Sequence, residues 1–312
     1  MANPTLDVYA RPQTRVRINS RRWLNLHRIG AGDPTVVLAH GLGGSTLEWW
    51  RVQAQVNKFA TVVAYDRAGF GFSDPGPLPR TTDRILADLR LGLKALGAAP
   101  PYVLVSHSAG NFEMRLFALE HPDEVAGMVL VDPSGANQSE RGRAVTELVK
   151  THNDLARAKL KTFENWAREG LLVPGSPEYE ECVRPPNPRL PASVNDAIRD
   201  WCLRPASWRA LYAEDCALSN GVNDRILAAA HRNLGDLPLI VLTAGRIVWH
   251  PAFAAQEIEA MKRLRILFHE EHAALSSRGT RRDVPDSGHS IHLERPAVVV
   301  DAIRDVIIMS GL

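Results

Sequence analysis

The chain has 312 residues, 45% of them hydrophobic, and a formal net charge of +2. That length can bury one large core plus an inserted subdomain. So slight an excess of positive charge points to neither nucleic acid nor a membrane surface as partner. Met1 to Asp7 lack the apolar stretch of a signal peptide, and no run reaches membrane-spanning length, so a soluble cytoplasmic protein is expected. Cys182, Cys202 and Cys216 are too sparse for a disulfide framework. Reduced thiols are expected, with a Cys182 to Cys202 bridge across the Pro-rich Arg184 to Pro188 left open.

The N-terminal arginines 11, 15, 17, 21 and 22 make that stretch locally basic, and the alternation Arg15 to Asn19 is that of a half-exposed strand. Apolar runs then recur at Val36 to Ala39, Thr61 to Tyr65, Tyr102 to Val105, Met128 to Val131 and Leu239 to Thr243, separated by helix-like stretches such as Arg84 to Leu96. This βα rhythm predicts an α/β fold: a mostly parallel sheet with helices on both faces. Between about Ser134 and Gly235 the rhythm stops and helices are expected instead, including Arg143 to Gly170 and Val194 to Ser207. The reading is a core of residues 1–133 and 236–312 with a helical cap inserted at 134–235.

Three loops carry chemistry. Ser106-His107-Ser108-Ala109-Gly110 follows a strand and opens the helix-like Asn111 to Ala118, a strand-turn-helix setting that pushes the Ser108 hydroxyl out of the sheet. Val36 to Ala39 runs into His40-Gly41-Leu42-Gly43-Gly44, where small residues let backbone approach an oxyanion, so the amides of Leu42 and Ala109 could pair as donors. Ser287-Gly288-His289 lies on a loop late in the chain, from which His289 can fold back on Ser108 as general base and then acid.

Taken in order, these motifs, with Tyr65-Asp66-Arg67-Ala68-Gly69-Phe70-Gly71-Phe72-Ser73-Asp74 and Val129-Leu130-Val131-Asp132-Pro133, resemble the α/β-hydrolase superfamily and its cap-bearing esterase-like branch. The resemblance implies Ser108 as nucleophile, His289 as base, and the Leu42 and Ala109 amides as oxyanion hole. A serine at the elbow separates the chain from the dehalogenases and epoxide hydrolases of that superfamily, which place Asp there. Their commonest position for the triad acid follows the penultimate strand, but Ala244 to Pro251 holds no carboxylate. Asp132, at the strand end after the elbow helix, is the position some relatives use instead and is favoured here, ahead of the more distant Glu257.

The remaining histidines read as structural: His107 beside the elbow, His292 a packed or solvated loop residue, His40 supporting the oxyanion loop. No His/Cys/Asp/Glu cluster has the close spacing of a metal site, so no metal is expected. Neither a phosphate loop nor a dinucleotide fingerprint is present, so no cofactor is inferred. Trp166, Trp201, Trp208 and Trp249 are candidate walls for an apolar acyl or alcohol group, with core packing as the competing role. The expected activity is hydrolysis of a small to medium, largely apolar carboxylic ester through an acyl-enzyme. The same machinery could serve a lactone, a C–C bond or an N-terminal peptide, and the same scaffold could serve ligand binding alone.

Overall fold

A computed structural model describes residues 4–183, 185–230, 233–249 and 251–312. Met1 to Asn3, Arg184 and His250, which enter the readings above, lie outside the described residues. Strands β1 (Thr14–Arg17), β2 (Trp23–Ile29), β3 (Thr35–Ala39), β4 (Thr61–Tyr65), β5 (Tyr102–His107), β6 (Val125–Val131), β7 (Leu239–Ala244) and β8 (Gly279–Val284) form one sheet in the order β1-β2-β4-β3-β5-β6-β7-β8. The hairpin strand β2 runs antiparallel to β1 and β4, and every other pairing is parallel.

The apolar runs are continuous because both faces of the sheet are covered. Val37, Ala39, Leu104, Leu130 and Val241 pack on one face with Leu86, Leu89 and Phe112 from helices α2 (Thr82–Leu96) and α3 (Asn111–Glu120). Their alternates Val36, Leu38, Val105, Val131 and Leu242 pack on the other. Helices α1 (Trp50–Val56) and α12 (Pro296–Ser310) cover that face through Val52, Val56, Val299 and Ile303. Each of the larger side chains, removed from water, adds about 1.5–3 kcal/mol. The chain reverses its direction of travel across the sheet at β3, so the loops leaving β3 and β5 flank the crevice where such sheets bind ligands.

Between β6 and β7 the described residues form helices α4 (Gln138–Val145), α5 (Leu148–Arg168), α6 (Pro177–Cys182), α7 (Ala192–Cys202), α8 (Pro205–Ser219) and α9 (Val222–Ala229). Two expected helices are each divided. Thr146, with φ −158° and ψ 137°, breaks the first, and its hydroxyl accepts the Leu148 N–H at 3.3 Å to start the next. The second ends at Cys202 because Arg204 precedes Pro205, whose ring disfavours helical geometry in the residue before it; Pro205 then opens α8. Helix α10 (Ala255–Ala273) fills the stretch between β7 and β8, and α11 (Ile291–Glu294) precedes α12. The three cysteines are thiols, and Cys182 packs beside Cys202 without a bridge. No helix among the described residues is long and apolar enough to cross a membrane.

Candidate active site

β5 ends in a turn so tight that Ser108 adopts φ +51°, a left-handed conformation that costs a side-chain-bearing residue roughly 1–2 kcal/mol. The neighbouring backbone enforces it. A Cβ on Gly110 would stand 2.7 Å from the His40 carbonyl oxygen, and one on Gly41 would stand 2.8 Å from His107 Nδ1 and 3.3 Å from Ser108 Cβ. The loop after β3 and the turn after β5 therefore touch through two glycines. The Gly44 N–H donates to the Gly41 carbonyl at 3.2 Å, closing a turn over Leu42 and Gly43, whose φ is +73°. Leu42 and Ala109 sit on these two touching loops, and both are half-buried.

Buried polar groups hold the loop after β3. Arg67, 2% exposed, donates to the carbonyls of His40 at 2.7 Å and Gly41 at 2.6 Å, and pairs with Glu113 of α3 and Glu214 of α8. Burial pushes the Glu113 carboxyl up to about 7 against the pull of Arg67, and raises Glu214 as well. His40 donates from Nδ1 to the Gly41 carbonyl at 2.8 Å, and its Nε2 accepts the Arg67 N–H at 3.3 Å. Burial holds its imidazole neutral, in keeping with a supporting role. Asp66 accepts N–H groups from Thr46 and Phe72 at 2.7 and 3.0 Å, tying the glycine-punctuated turn to the same loop.

Asp132, the residue after β6, has φ +47° and is 2% exposed. Its Oδ2 accepts the Nδ1–H of His289 at 2.5 Å. Its Oδ1 accepts the Ala244 N–H at 2.9 Å and a guanidinium N–H of Arg265. Burial alone would raise this carboxyl; the hydrogen bond from His289 and the Arg265 charge outweigh it, so Asp132 lies below the ordinary range and is ionised. Glu257, the alternative acid, is half-buried at the start of α10, where its Oε2 accepts the Ala254 N–H at 2.8 Å as a helix cap.

Sequence reasoning missed the face of α10 that braces this turn. Arg265, His269 and His272 follow the i, i+4, i+7 spacing of one helix face. His269 donates from Nε2 to the Pro133 carbonyl at 3.1 Å while its Nδ1 accepts from Thr243 Oγ1 at 2.8 Å; His272 Nε2 donates to the Ser134 carbonyl at 2.8 Å. Burial lowers these imidazoles to about 4 and about 3. The turn is tied to the elbow in turn, since Ser134 N–H and Asn111 Nδ2 both donate to the Ser108 carbonyl, at 3.2 and 2.8 Å.

Ser108, Asp132 and His289 line one cavity of about 380 Å³, with Trp249, Met261 and Phe268 among its apolar walls. Among the described residues no hydrogen bond joins Ser108 to His289. Trp166 and Trp208 are placed elsewhere. They pack with Phe163 in an apolar cluster of the helices between β6 and β7, and Trp208 Nε1–H donates to the Cys202 carbonyl at 2.7 Å. Trp201 meets Phe72 edge-on at 5.5 Å. Of the four tryptophans, Trp249 reaches the cavity.

The sequence pattern of the alpha/beta hydrolase family matches residues 36–302. The chain is 26% identical over 281 residues to the uncharacterized protein YqjL of Bacillus subtilis, covering 90% of this chain and 86% of that one. It is 30% identical over 260 residues to the lipase LipV of Mycobacterium tuberculosis, covering 78% and 97%. By structure it is similar to a thermophilic esterase from Thermogutta terrifontis, with TM-score 0.60 and 22% identity over 97% of this chain and 100% of that one. The enol-lactonase from Burkholderia xenovorans shares the fold at TM-score 0.59 and 18% identity, over 94% and 99%.

Proposed function

The chain belongs to the alpha/beta hydrolase family, and on that premise we propose that it is a serine hydrolase of small to medium, largely apolar carboxylic esters. The observation that carries this reading is the 2.5 Å hydrogen bond from His289 to Asp132 in a cavity whose wall also holds Ser108 at φ +51°. In this reading His289 Nε2 takes the Ser108 proton as Oγ attacks the ester carbonyl. The amides of Leu42 and Ala109 donate to the oxyanion, and the imidazolium returns its proton to the leaving alcohol. Water, deprotonated by the same imidazole, then cleaves the acyl-enzyme. Asp132 stays ionised throughout and holds the tautomer of His289 that leaves Nε2 bare.

The inserted residues 134–235 act in this reading as the roof. Val149 and Asn153 of α5 and Asp215 and Leu218 of α8 line the cavity opposite the sheet. Trp249, Met261 and Phe268 supply the apolar wall for the acyl group, and about 380 Å³ suits a short to medium chain.

Burst kinetics on p-nitrophenyl esters of increasing acyl length, run beside Ser108→Ala, test this. A stoichiometric burst that the variant lacks, with a chain-length optimum, is the expected result. A folded protein that turns over none of the esters would overturn the ester reading and direct attention to lactones, peptides or C–C bonds. Equal turnover by Ser108→Ala would remove Ser108 from the mechanism.

A further inference from the structure

Behind the loop that carries His289 lies a second group of side chains that the proposed reaction does not use. Glu48, His107 and His292 come from three separate parts of the chain, and each offers a donor atom within 4.8 Å of the other two. His292 is fully buried and His107 is 6% exposed. Their ring centroids stand 4.3 Å apart, and the Trp49 ring lies 4.7 Å from that of His292. Both nitrogens of His292, Nδ1 of His107 and Oε2 of Glu48 are buried without a hydrogen-bond partner in the protein. Orphaned polar atoms on this scale are rare in an interior, because each costs roughly 1–3 kcal/mol.

The donor chemistry is that of a metal site. His107 Nε2 lies 3.1 Å from the His289 carbonyl oxygen, an acceptor only, so Nε2 carries the proton and Nδ1 presents a bare lone pair. An imidazole that donates its other N–H to a carbonyl is the usual arrangement of a metal-bound histidine. Burial holds both imidazoles neutral, His292 at about 3, so neither repels a cation. His292 Nε2 and Glu48 Oε2 are 3.9 Å apart. That is too long for a hydrogen bond and near the roughly 3.4 Å between two ligands of one tetrahedral ion bound at about 2.1 Å. The carboxylate of Glu48 points inward beneath Gly44, where a Cβ would fall 2.6 Å from it. Glu48 also borders a separate cavity of about 840 Å³, whose walls carry Asp286 and Glu294 as well as arginines.

We propose that Glu48, His107 and His292 bind a divalent transition-metal ion of the zinc or cobalt type, and that the bound ion slows hydrolysis. Two imidazoles and one carboxylate are a borderline-soft donor set that selects such ions over magnesium or calcium. The brake follows from position. The His107 ring is 4.5 Å from that of His289, and its Nε2–H holds the carbonyl of the same residue. A cation on His107 opposes the imidazolium that His289 must become in each half of the reaction.

Cobalt(II) titration read by visible absorption, with equilibrium dialysis of zinc, tests the site without any substrate. It is run on the wild-type chain and on Ser108→Ala, so the result does not depend on the hydrolase reading. The expected outcome is one ion per chain, with affinity weakened at least about tenfold in His292→Gln and in Glu48→Gln, and unchanged in the exposed control His152→Gln. Circular dichroism confirms that each variant is folded. Zinc added to an active preparation should lower kcat in wild type, and Glu48→Gln should need more zinc for the same loss. No saturable absorption, or equal affinity in the His292 and Glu48 variants and wild type, would overturn the proposal. Binding without loss of rate would overturn the brake.

Discussion

Arg265 grips one oxygen of Asp132 while His289 holds the other, although Arg265 and Asp132 lie 133 positions apart in the chain. The pairing turns a strand-end carboxylate, buried and at φ +47°, into an ionised group with a fixed direction. Asp132→Asn is expected to lower kcat on the order of 10⁴-fold, by the logic of a triad acid that fixes the imidazole tautomer. Arg265→Gln leaves His289 and Ala244 on the carboxylate, so a loss of about tenfold in kcat with KM held, and about 2 kcal/mol of stability, is expected. Steady-state kinetics and denaturant melts check both. Glu257→Gln, which alters the start of α10 and a contact with Thr146, should leave kcat alone; a large loss there would reassign the acid.

The strain at Ser108 can be read from stability. Alanine at this position keeps the left-handed penalty, whereas glycine adopts φ +51° freely. Ser108→Gly is expected to be about 1 kcal/mol more stable than Ser108→Ala, although glycine elsewhere usually destabilises through the unfolded state. Both variants should be inactive. A less stable glycine variant in urea melts would mean that the turn is not strained.

Arg67 is one cation serving two buried carboxylates and two loop carbonyls. Arg67→Met should cost about 3–5 kcal/mol, because Glu113 and Glu214 lose their partner where water cannot replace it. Burial already raises both carboxyls, Glu113 to about 7, so without Arg67 they fold protonated. A carboxyl whose folded pKa exceeds its unfolded value binds more protons folded than unfolded, so stability falls as pH rises. The deficit of the variant relative to wild type should therefore widen between pH 6 and pH 8. A constant deficit would mean that the two carboxyls are not where the cost arises.

The parallel sheet was legible because β3, β4, β5, β6 and β7 are unbroken apolar runs, which only a doubly covered strand requires. The edge strand β8, Gly-Thr-Arg-Arg-Asp-Val, was not, since only Val284 is buried and charges guard its open side. The order of the motif-bearing loops grouped Ser108, Asp132 and His289, and all three line one cavity. Arg265, His269 and His272 carried no motif; their spacing marks one face of a helix, but nothing in it tells which neighbour that face meets. Trp166 and Trp208 show the converse. An aromatic side chain on the helices between β6 and β7 can face the cavity or a local apolar cluster, and here Phe163 and Cys182 provide that cluster. Glu48, His107 and His292 escaped grouping because chain spacing does not reveal clusters assembled from three distant parts of the chain.

The buried histidines of α10 predict how the fold responds to acid. His272 is 3% exposed, donates to the Ser134 carbonyl, and has its imidazole lowered from the ordinary 6.5 to about 3, burial being the main cause. Between those two values the unfolded chain takes up a proton that the folded chain refuses, so stability falls as pH falls. The contribution is intact above about pH 6.5, and by pH 5 the loss from this residue is on the order of 2 kcal/mol. His272→Gln can keep an N–H for Ser134 and cannot titrate. Its stability should therefore change less than that of wild type between pH 7 and pH 5, by that same amount, in urea melts at the two pH values. Parallel losses in the two proteins would mean that His272 is protonated in the fold and that the turn at Asp132 is braced by a cation instead of a neutral ring.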